Sequence, residues 1–314
     1  GHVARGTAPP DGAVQIHGQQ GGSEDWHSID PDFVRSEVLA SRERLRTPPD
    51  FVLLHNPEYL LSARLHQRVA IADAWDEMYE RLEAAFKVLE SLCDEGAIGS
   101  GYGVSSNFLS CMFSTTGRGN IYEALALDRV ADAAARAAGG RGAHRLHIAQ
   151  LPLNAFESGA VLGRGGVVPE AAEGDCTLAA KLGISAVTNR PLNALPMPGV
   201  SSGDWGRSGA THLRLRDAKP MGAVESLLRR VLLEALYDGQ PPSPSPPLQQ
   251  LALQLAASAE GVACSLCGVR EERYVEDAAS VLKAPPFSAE QVARALRAVR
   301  QAAEELGCQR RGLW

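Results

Sequence analysis

Residues Phe51, Val52, Leu53 and Leu54 form an apolar run that ends in His55 and is stopped by Asn56-Pro57. Four apolar residues bounded by a turn signal suit a strand buried on both faces, as in parallel sheets flanked by helices. A helical pattern leads into this run through a short loop, which is the signature of an α/β unit. His55 then stands at the carboxyl end of the strand. In parallel α/β folds that end carries the chemistry, because the loops there open to solvent while the strand fixes the side chain. A histidine satisfied within the core is the alternative.

The same cycle repeats along the chain. Asp30-Pro31-Asp32 supplies an N-cap followed by proline at the first helical position, and the helix carries Phe33, Val34, Val38 and Leu45 before Thr47-Pro48-Pro49 ends it. After a polar loop, Trp75, Met78, Tyr79, Leu82, Phe86, Leu89 and Leu92 recur at helical spacing over 73–93, and Glu95-Gly96 closes that helix. Strands are expected at 98–104, 146–153, 184–187 and 262–267. Helices are expected at 121–138, 177–182, 224–236, 248–259, 273–282 (opened by Gly268) and 288–306. Residues 1–30 are loop-rich with a hint of order at 13–16, residues 196–222 read as a surface insertion, and 240–247 as an extended proline-rich bridge.

Strands ending near residues 55, 104, 152, 187 and 267, each separated by helix, fit a (β/α)8 barrel or a doubly wound sheet. A doubly wound sheet requires a glycine fingerprint directly after its first strand. Gly99-Ser100-Gly101-Tyr102-Gly103 lies before or within a strand instead. The expected fold is therefore α/β, a (β/α)8 TIM barrel that is incomplete, with its first strands missing. Residues 1–29 are its loop-rich remnant, 30–283 the barrel portion and 284–314 a carboxyl-terminal helix. The start at Gly1, within what reads as the tail of an element, carries the same expectation of a truncated chain.

With 314 residues and 45% hydrophobic composition the chain can bury a large core. A net charge of −6 gives no basic excess, so neither nucleic acid nor an anionic membrane is expected as a partner. No apolar stretch approaches the roughly 20 residues of a membrane span. Six scattered cysteines read as free thiols in a reducing, cytoplasmic compartment. Cys264 and Cys267 form a C-x-x-C inside an apolar, strand-like run, which favours alternating burial over a redox or zinc site.

The strand ends offer His55, then Ser106 and Asn107, Gln150, Asn189 with Arg190, and the stretch from Gly268 to Arg273. In a barrel these converge on one face. One imidazole among amide side chains makes a poor hydrolase. With no paired carboxylates and no His/Cys cluster at ligand spacing, no metal is expected. Amides suit a neutral heterocycle bearing a carboxamide.

Leu54-His55-Asn56-Pro57, the run Gly103 to Phe108 (GVSSNF), Gln150, Arg190-Pro191-Leu192 and the run Gly268 to Asp277 (GVREERYVED) together resemble the aldo-keto reductase family, in order, over residues 30–283. The resemblance implies a (β/α)8 barrel that passes hydride between NADP(H) and a small-molecule carbonyl or alcohol. It implies that His55 orients or polarises the substrate carbonyl and that Ser106, Asn107 and Gln150 hold the nicotinamide carboxamide. Arg273 and Asp277 would contact the adenosine end, with Gly268 and Arg270 near the 2′-phosphate. Asn189, Arg190 and Leu192 complete the implied cofactor contacts. A helix N-terminus with added arginine is in any case a good phosphate site.

Two departures stand against the family pattern. Its tetrad comprises Asp, Tyr, Lys and His, and the Tyr, Lys and Asp belong to strands this chain lacks. None of Lys87, Lys181, Lys219 and Lys283 falls at an expected strand end, and the six tyrosines fall on helices, loops or within a strand. Asn189 occupies a position where many members place an aromatic side chain that stacks on the nicotinamide. Two functions follow: a truncated aldo-keto reductase that is inactive in this form, or a barrel remnant that binds a dinucleotide or a partner protein without turnover. An unrelated barrel such as an isomerase would need a general base at a strand end, and only His55 is available. The loops 58–72, 109–120 and 196–222 carry no readable substrate code.

Overall fold

The computed structural model describes residues 2–3, 8–16, 25–109, 112–114, 121–123, 125–163, 174–192, 223–269 and 272–305. In chain order its elements are β1 (Val14–Gln15), β2 (Trp26–His27), α1 (Pro31–Leu45), β3 (Phe51–His55), α2 (Tyr59–His66), α3 (Ile71–Asp94), β4 (Gly101–Ser105), β5 (Met112–Ser114) and β6 (Ile121–Glu123). They continue as α4 (Leu127–Ala137), β7 (Leu146–Pro152), α5 (Gly159–Leu162), α6 (Asp175–Lys181), β8 (Ser185–Asn189), α7 (Ala223–Leu236), α8 (Leu248–Ala257), β9 (Val262–Ser265), α9 (Glu272–Val281) and α10 (Ala289–Glu305). The strands that alternate with helices pair in parallel, which places the chain in the α/β class.

The chain divides into two compact units. The first comprises Gly1–Phe108, Ala124–Gln150 and Leu182–Ile184. Its sheet runs β3-β4-β7, all parallel. The Asp30 carboxylate caps α1 by accepting from the N–H groups of Asp32 and Phe33, with Pro31 at the first helical position, as the sequence pattern requires. α3 buries Ala74, Met78, Tyr79, Leu82, Ala85, Phe86, Leu89 and Leu92 along one stripe, and Gly96 in the left-handed region follows its end. α1, α2 and α4 all pack on α3.

Between β4 and β7 the approach is unusually close. A Cβ on Gly101 would lie 2.5 Å from Arg145 O, and one on Gly103 would lie 2.3 Å from Ile148 O and 2.6 Å from Leu53 Cδ2. The glycine pattern is therefore a packing requirement of β4, which only glycine meets.

The second unit comprises Leu109–Glu123, Leu151–Lys181 and Ser185–Trp314. It holds the end of β7, the parallel pair β8-β9 and the antiparallel pair β5-β6. α6 and α8 pack on β8 and β9 respectively, and α7 packs on α8 and α10. Leu232, Leu236, Leu251, Leu255, Val292 and Leu296 make the buried seam of this helical layer.

Several sequence expectations are corrected. β3 is not buried on both faces: only Leu54 is buried, and Phe51 is 42% exposed. Among the described residues its strand partner is β4 alone, and a four-residue apolar run cannot tell an outer strand from a central one. Part of the loop expected over 58–72 is α2, which buries Leu60, Leu61 and Ala63. The helix expected from 121 begins at Leu127, with β6 before it. β4 starts at Gly101 rather than 98, and β9 ends at Ser265 rather than 267. Cys264 is exposed and Cys267 only partly covered, so burial along β9 does not alternate. Gly268 does not open α9, which begins at Glu272. The insertion expected at 196–222 lies outside the described residues.

Candidate functional site

In the first unit, register brings the expected residues to one edge. His55 pairs with Ser105 across β3-β4, and Ser105 pairs with Gln150 across β4-β7. Two loop bonds carry the alignment past the strand ends: Asn56 N–H donates to Ser105 O at 2.7 Å and Ser106 N–H to Gln150 O at 3.0 Å. His55 thus ends β3 and Ser106 and Asn107 follow β4, on or just beyond the level of Gln150, which lies two residues before the end of β7. Ser106 is buried and its Oγ accepts Phe108 N–H at 3.0 Å, which fixes the turn that carries Asn107.

The turn after β3 is built on Asn56, whose φ of 50° puts it in the left-handed region that asparagine tolerates best among the larger residues. Its side-chain Nδ2 donates to Tyr59 Oη at 3.0 Å. The ring of Tyr59 meets His27 edge to face at 5.2 Å and His2 at 6.0 Å, and His2 lies 6.1 Å from His55. His27 is almost fully buried, and its Nε2 donates to the carbonyl oxygen of His55 at 2.6 Å. Burial above all holds the His27 pKa at about 3, so this imidazole is neutral. Desolvation, then the neighbouring His2, also lowers the pKa of His55. Among the described residues no group of three or more His, Cys, Asp and Glu side chains is arranged to hold a metal ion.

Glu58 is the unexpected group at this edge. It is 4% exposed, and neither carboxylate oxygen has a hydrogen-bond partner among the described residues. Burial raises its pKa to about 7, against a smaller opposing contribution from its own backbone N–H and the nearby Ser106 hydroxyl. His2, His27, Glu58 and Tyr59 were not among the residues that the sequence motifs single out. The only local signal was Pro57-Glu58-Tyr59 ahead of Leu60-Leu61, a helix start directly after a strand end.

In the second unit, β8 ends at Asn189, β9 at Ser265, and Thr188 Oγ1 donates to Ser265 Oγ at 3.0 Å. Leu266 N–H donates to Thr188 O at 2.7 Å, so Asn189 and Arg190 share a level with the start of the loop to Gly268. Arg190 forms an ion pair with buried Glu157, Nη2 to Oε1 at 2.7 Å. Burial raises the Glu157 pKa, with Arg190 and Asn154 opposing the rise. Leu192 lies two residues beyond Arg190 in the turn, and Gly268 is exposed. Arg273 and Asp277 are on α9, four residues apart. Arg270 lies outside the described residues.

No protein-family model matches the chain, and no curated protein matches it. Solved structures do. An aldo-keto reductase from Bacillus halodurans, in its holo form, aligns with a TM-score of 0.49 and 18% identity over 87% of this chain and 69% of its own. The glycerol dehydrogenase from Gluconobacter oxydans aligns with a TM-score of 0.50 and 17% identity over 95% of this chain and 72% of its own. Among the described residues no helix is long and apolar enough to cross a membrane. The chain shares the α/β fold of that dehydrogenase.

Proposed function

We propose that the chain is an aldo-keto reductase-like oxidoreductase of the cytoplasm that uses NADP(H) and acts on a small-molecule carbonyl or alcohol. The observation that carries this reading is the backbone register in the first unit, where His55 pairs with Ser105 and Ser105 with Gln150, just ahead of Ser106 and Asn107. Bound NADP(H) supplies the hydride. His55 would orient and polarise the carbonyl, and its lowered pKa keeps it a neutral N–H donor at pH 7.

The residues present fit such a cofactor chemically. Ser106, Asn107 and Gln150 offer the mixed donors and acceptors that a carboxamide needs, and the family resemblance implies that Asn189 and Arg190 are cofactor contacts as well. Leu192 would pack against the cofactor from the turn after Arg190. Gly268, Arg270, Arg273 and Asp277 would hold its adenosine and 2′-phosphate end, with Arg273 and Asp277 one turn apart on α9.

The test is titration of the purified chain with NADPH, followed by cofactor fluorescence, beside an assay of aldehyde reduction. Binding without turnover is the expected result, because the family's proton-donating Tyr and its partners Lys and Asp have no counterpart at an expected strand end. Turnover would show that another group donates the proton, and absence of binding would end both this reading and that of a dinucleotide-binding remnant.

A further inference from the structure

Three imidazoles from distant segments meet at the carboxyl end of β3: His2 lies 6.0 Å from His27 and 6.1 Å from His55, ring centroid to ring centroid. Their circumstances differ. His27 is buried, and its Nε2 is spent on the carbonyl oxygen of His55. His2 and His55 are exposed, and each rides on backbone that other residues hold. His2 bridges the main chain of His27, with Val3 N–H donating to Trp26 O at 2.9 Å beside it. His55 pairs with Ser105 in the sheet, and His27 grips its carbonyl. The two exposed rings thus stand on fixed mounts, 6.1 Å apart and tilted by 43°.

That spacing is one that a shared metal ion sets. An imidazole nitrogen binds Zn²⁺ at about 2 Å, so two rings on one ion have their centroids about 5 to 6.5 Å apart, depending on the angle at the metal. Exposed histidine rings turn readily about χ2, so a nitrogen of each can be aimed at the common point without moving β3 or the bridge to His27. Imidazole selects Cu²⁺, Ni²⁺ and Zn²⁺, whereas Mg²⁺ and Ca²⁺ take oxygen ligands. Among the described residues no group of three or more His, Cys, Asp and Glu forms a complete ligand set, so water fills the remaining positions. We propose that His2 and His55 together chelate a divalent transition-metal ion in an open two-histidine site. Sequence spacing carries no trace of it, because the two ligands come from separate segments. The site stands on this geometry and not on the use of NADP(H). On the function proposed above, an ion on the His55 ring withdraws that imidazole from the carbonyl, and the site is then a reversible, metal-operated block.

Titration of the purified full chain with Zn²⁺, in competition with a chromophoric chelator, tests the site. His2→Ala and His55→Ala should each weaken the tightest ion at least about tenfold, because a second imidazole acts at high effective concentration once the first is bound. The double variant should lose less than the two single losses added together, since both rings act on one ion. Cu²⁺ bound to the unaltered chain should give an electron paramagnetic resonance spectrum with two imidazole nitrogens, reduced to one in either single variant. Metal-free melting midpoints of the variants should match the unaltered chain, because both rings are exposed. Undiminished Zn²⁺ affinity in either single variant overturns the proposal. So do two weak ions lost independently, one with each histidine, or a Cu²⁺ spectrum with a single imidazole nitrogen. None of these outcomes touches the cofactor reading, which the NADPH titration decides separately.

Discussion

His27 Nε2 donates to the main-chain oxygen of His55 across 2.6 Å, and so ties β2 to the carboxyl end of β3. A carbonyl can only accept, so the bond fixes the tautomer of His27 with its proton on Nε2. The bond also pins the backbone of His55 and does not use its imidazole. Tyr59 packs against the buried ring of His27, so a segment 28 residues upstream shapes the strand end that carries the candidate chemistry.

That arrangement predicts how stability depends on pH. The His27 pKa falls from 6.5 to about 3 on folding, so the folded chain binds fewer protons there than the unfolded one. Its contribution is complete above pH 6.5 and is lost as pH falls toward about 3. Glu58 acts in the opposite sense. Its pKa rises from 4.5 to about 7, so its contribution is complete below pH 4.5 and is lost as pH rises through about 7. Urea midpoints measured across this range should lose their acid slope in His27→Gln and their near-neutral slope in Glu58→Gln. A variant profile parallel to that of the unaltered chain would show that the group in question is not perturbed.

Gly103 and Gly140 should respond very differently to the same substitution. A Cβ at Gly103 meets the main chain of β7 at 2.3 Å, whereas one at Gly140 meets nothing within 4 Å. Gly103→Ala must push two backbones apart and should cost about 2 kcal/mol or more. Gly140→Ala should stay within about 0.5 kcal/mol. Denaturant melts of the two variants check this, and equal costs would mean that β4 and β7 can separate freely.

The same glycines show what sequence could and could not give. The strands at residues 51, 101, 146, 185 and 262 were legible because each is a short apolar run between helical patterns, a local signal. His55, Ser106 and Asn189 fell at or directly after strand ends because each follows such a run, whereas Gln150 lies within β7 and Arg273 and Asp277 on α9. The spacing Gly101-Tyr102-Gly103 could be rejected as a phosphate loop, but its real cause, the approach of Arg145 and Ile148, lies more than 40 residues away. His27 was invisible for the same reason: its partner is a backbone oxygen, and no side-chain pattern records one. α2 was missed because Asn56-Pro57-Glu58 reads as a loop, and the helix that follows is only eight residues long. The outer position of β3 was misjudged because apolar character says nothing about how many neighbours a strand has.

Tyr102 tests the buried polar network of the first unit. Fully buried and stacked on Phe86 at 5.1 Å, it donates its hydroxyl to Glu90 Oε1 at 2.8 Å. Glu90 also accepts Arg145 N–H at 2.8 Å and pairs with the Arg145 guanidinium at 2.9 Å. Burial, then the Glu90 carboxylate, holds the phenol pKa well above its ordinary value. Tyr102→Phe keeps the ring and removes one donor from a carboxylate that retains others, so it should cost about 1–2 kcal/mol. A urea melt gives the number, and no loss would mean that Glu90 is satisfied by Arg145 alone.

His55→Ala separates catalysis from architecture, because the strand hydrogen bonds that fix residue 55 use its backbone and its ring meets only His2, at 6.1 Å, among the described ring contacts. Its N–H and C=O belong to β3, and the carbonyl takes the proton of His27 Nε2 whatever the side chain. The variant should therefore melt with the unaltered chain and bind NADPH equally well. In a form of the protein that turns over, the rate of aldehyde reduction should fall about 10²-fold, the scale of losing one preorganised donor to a developing oxyanion. With its pKa lowered, His55 donates as a neutral imidazole, so the rate it supports should be flat above pH 7 and change only below the ordinary histidine range. A loss shared equally between cofactor affinity and turnover would place His55 in binding rather than in carbonyl polarisation. A retained rate would remove it from the chemistry and leave it a residue that terminates β3.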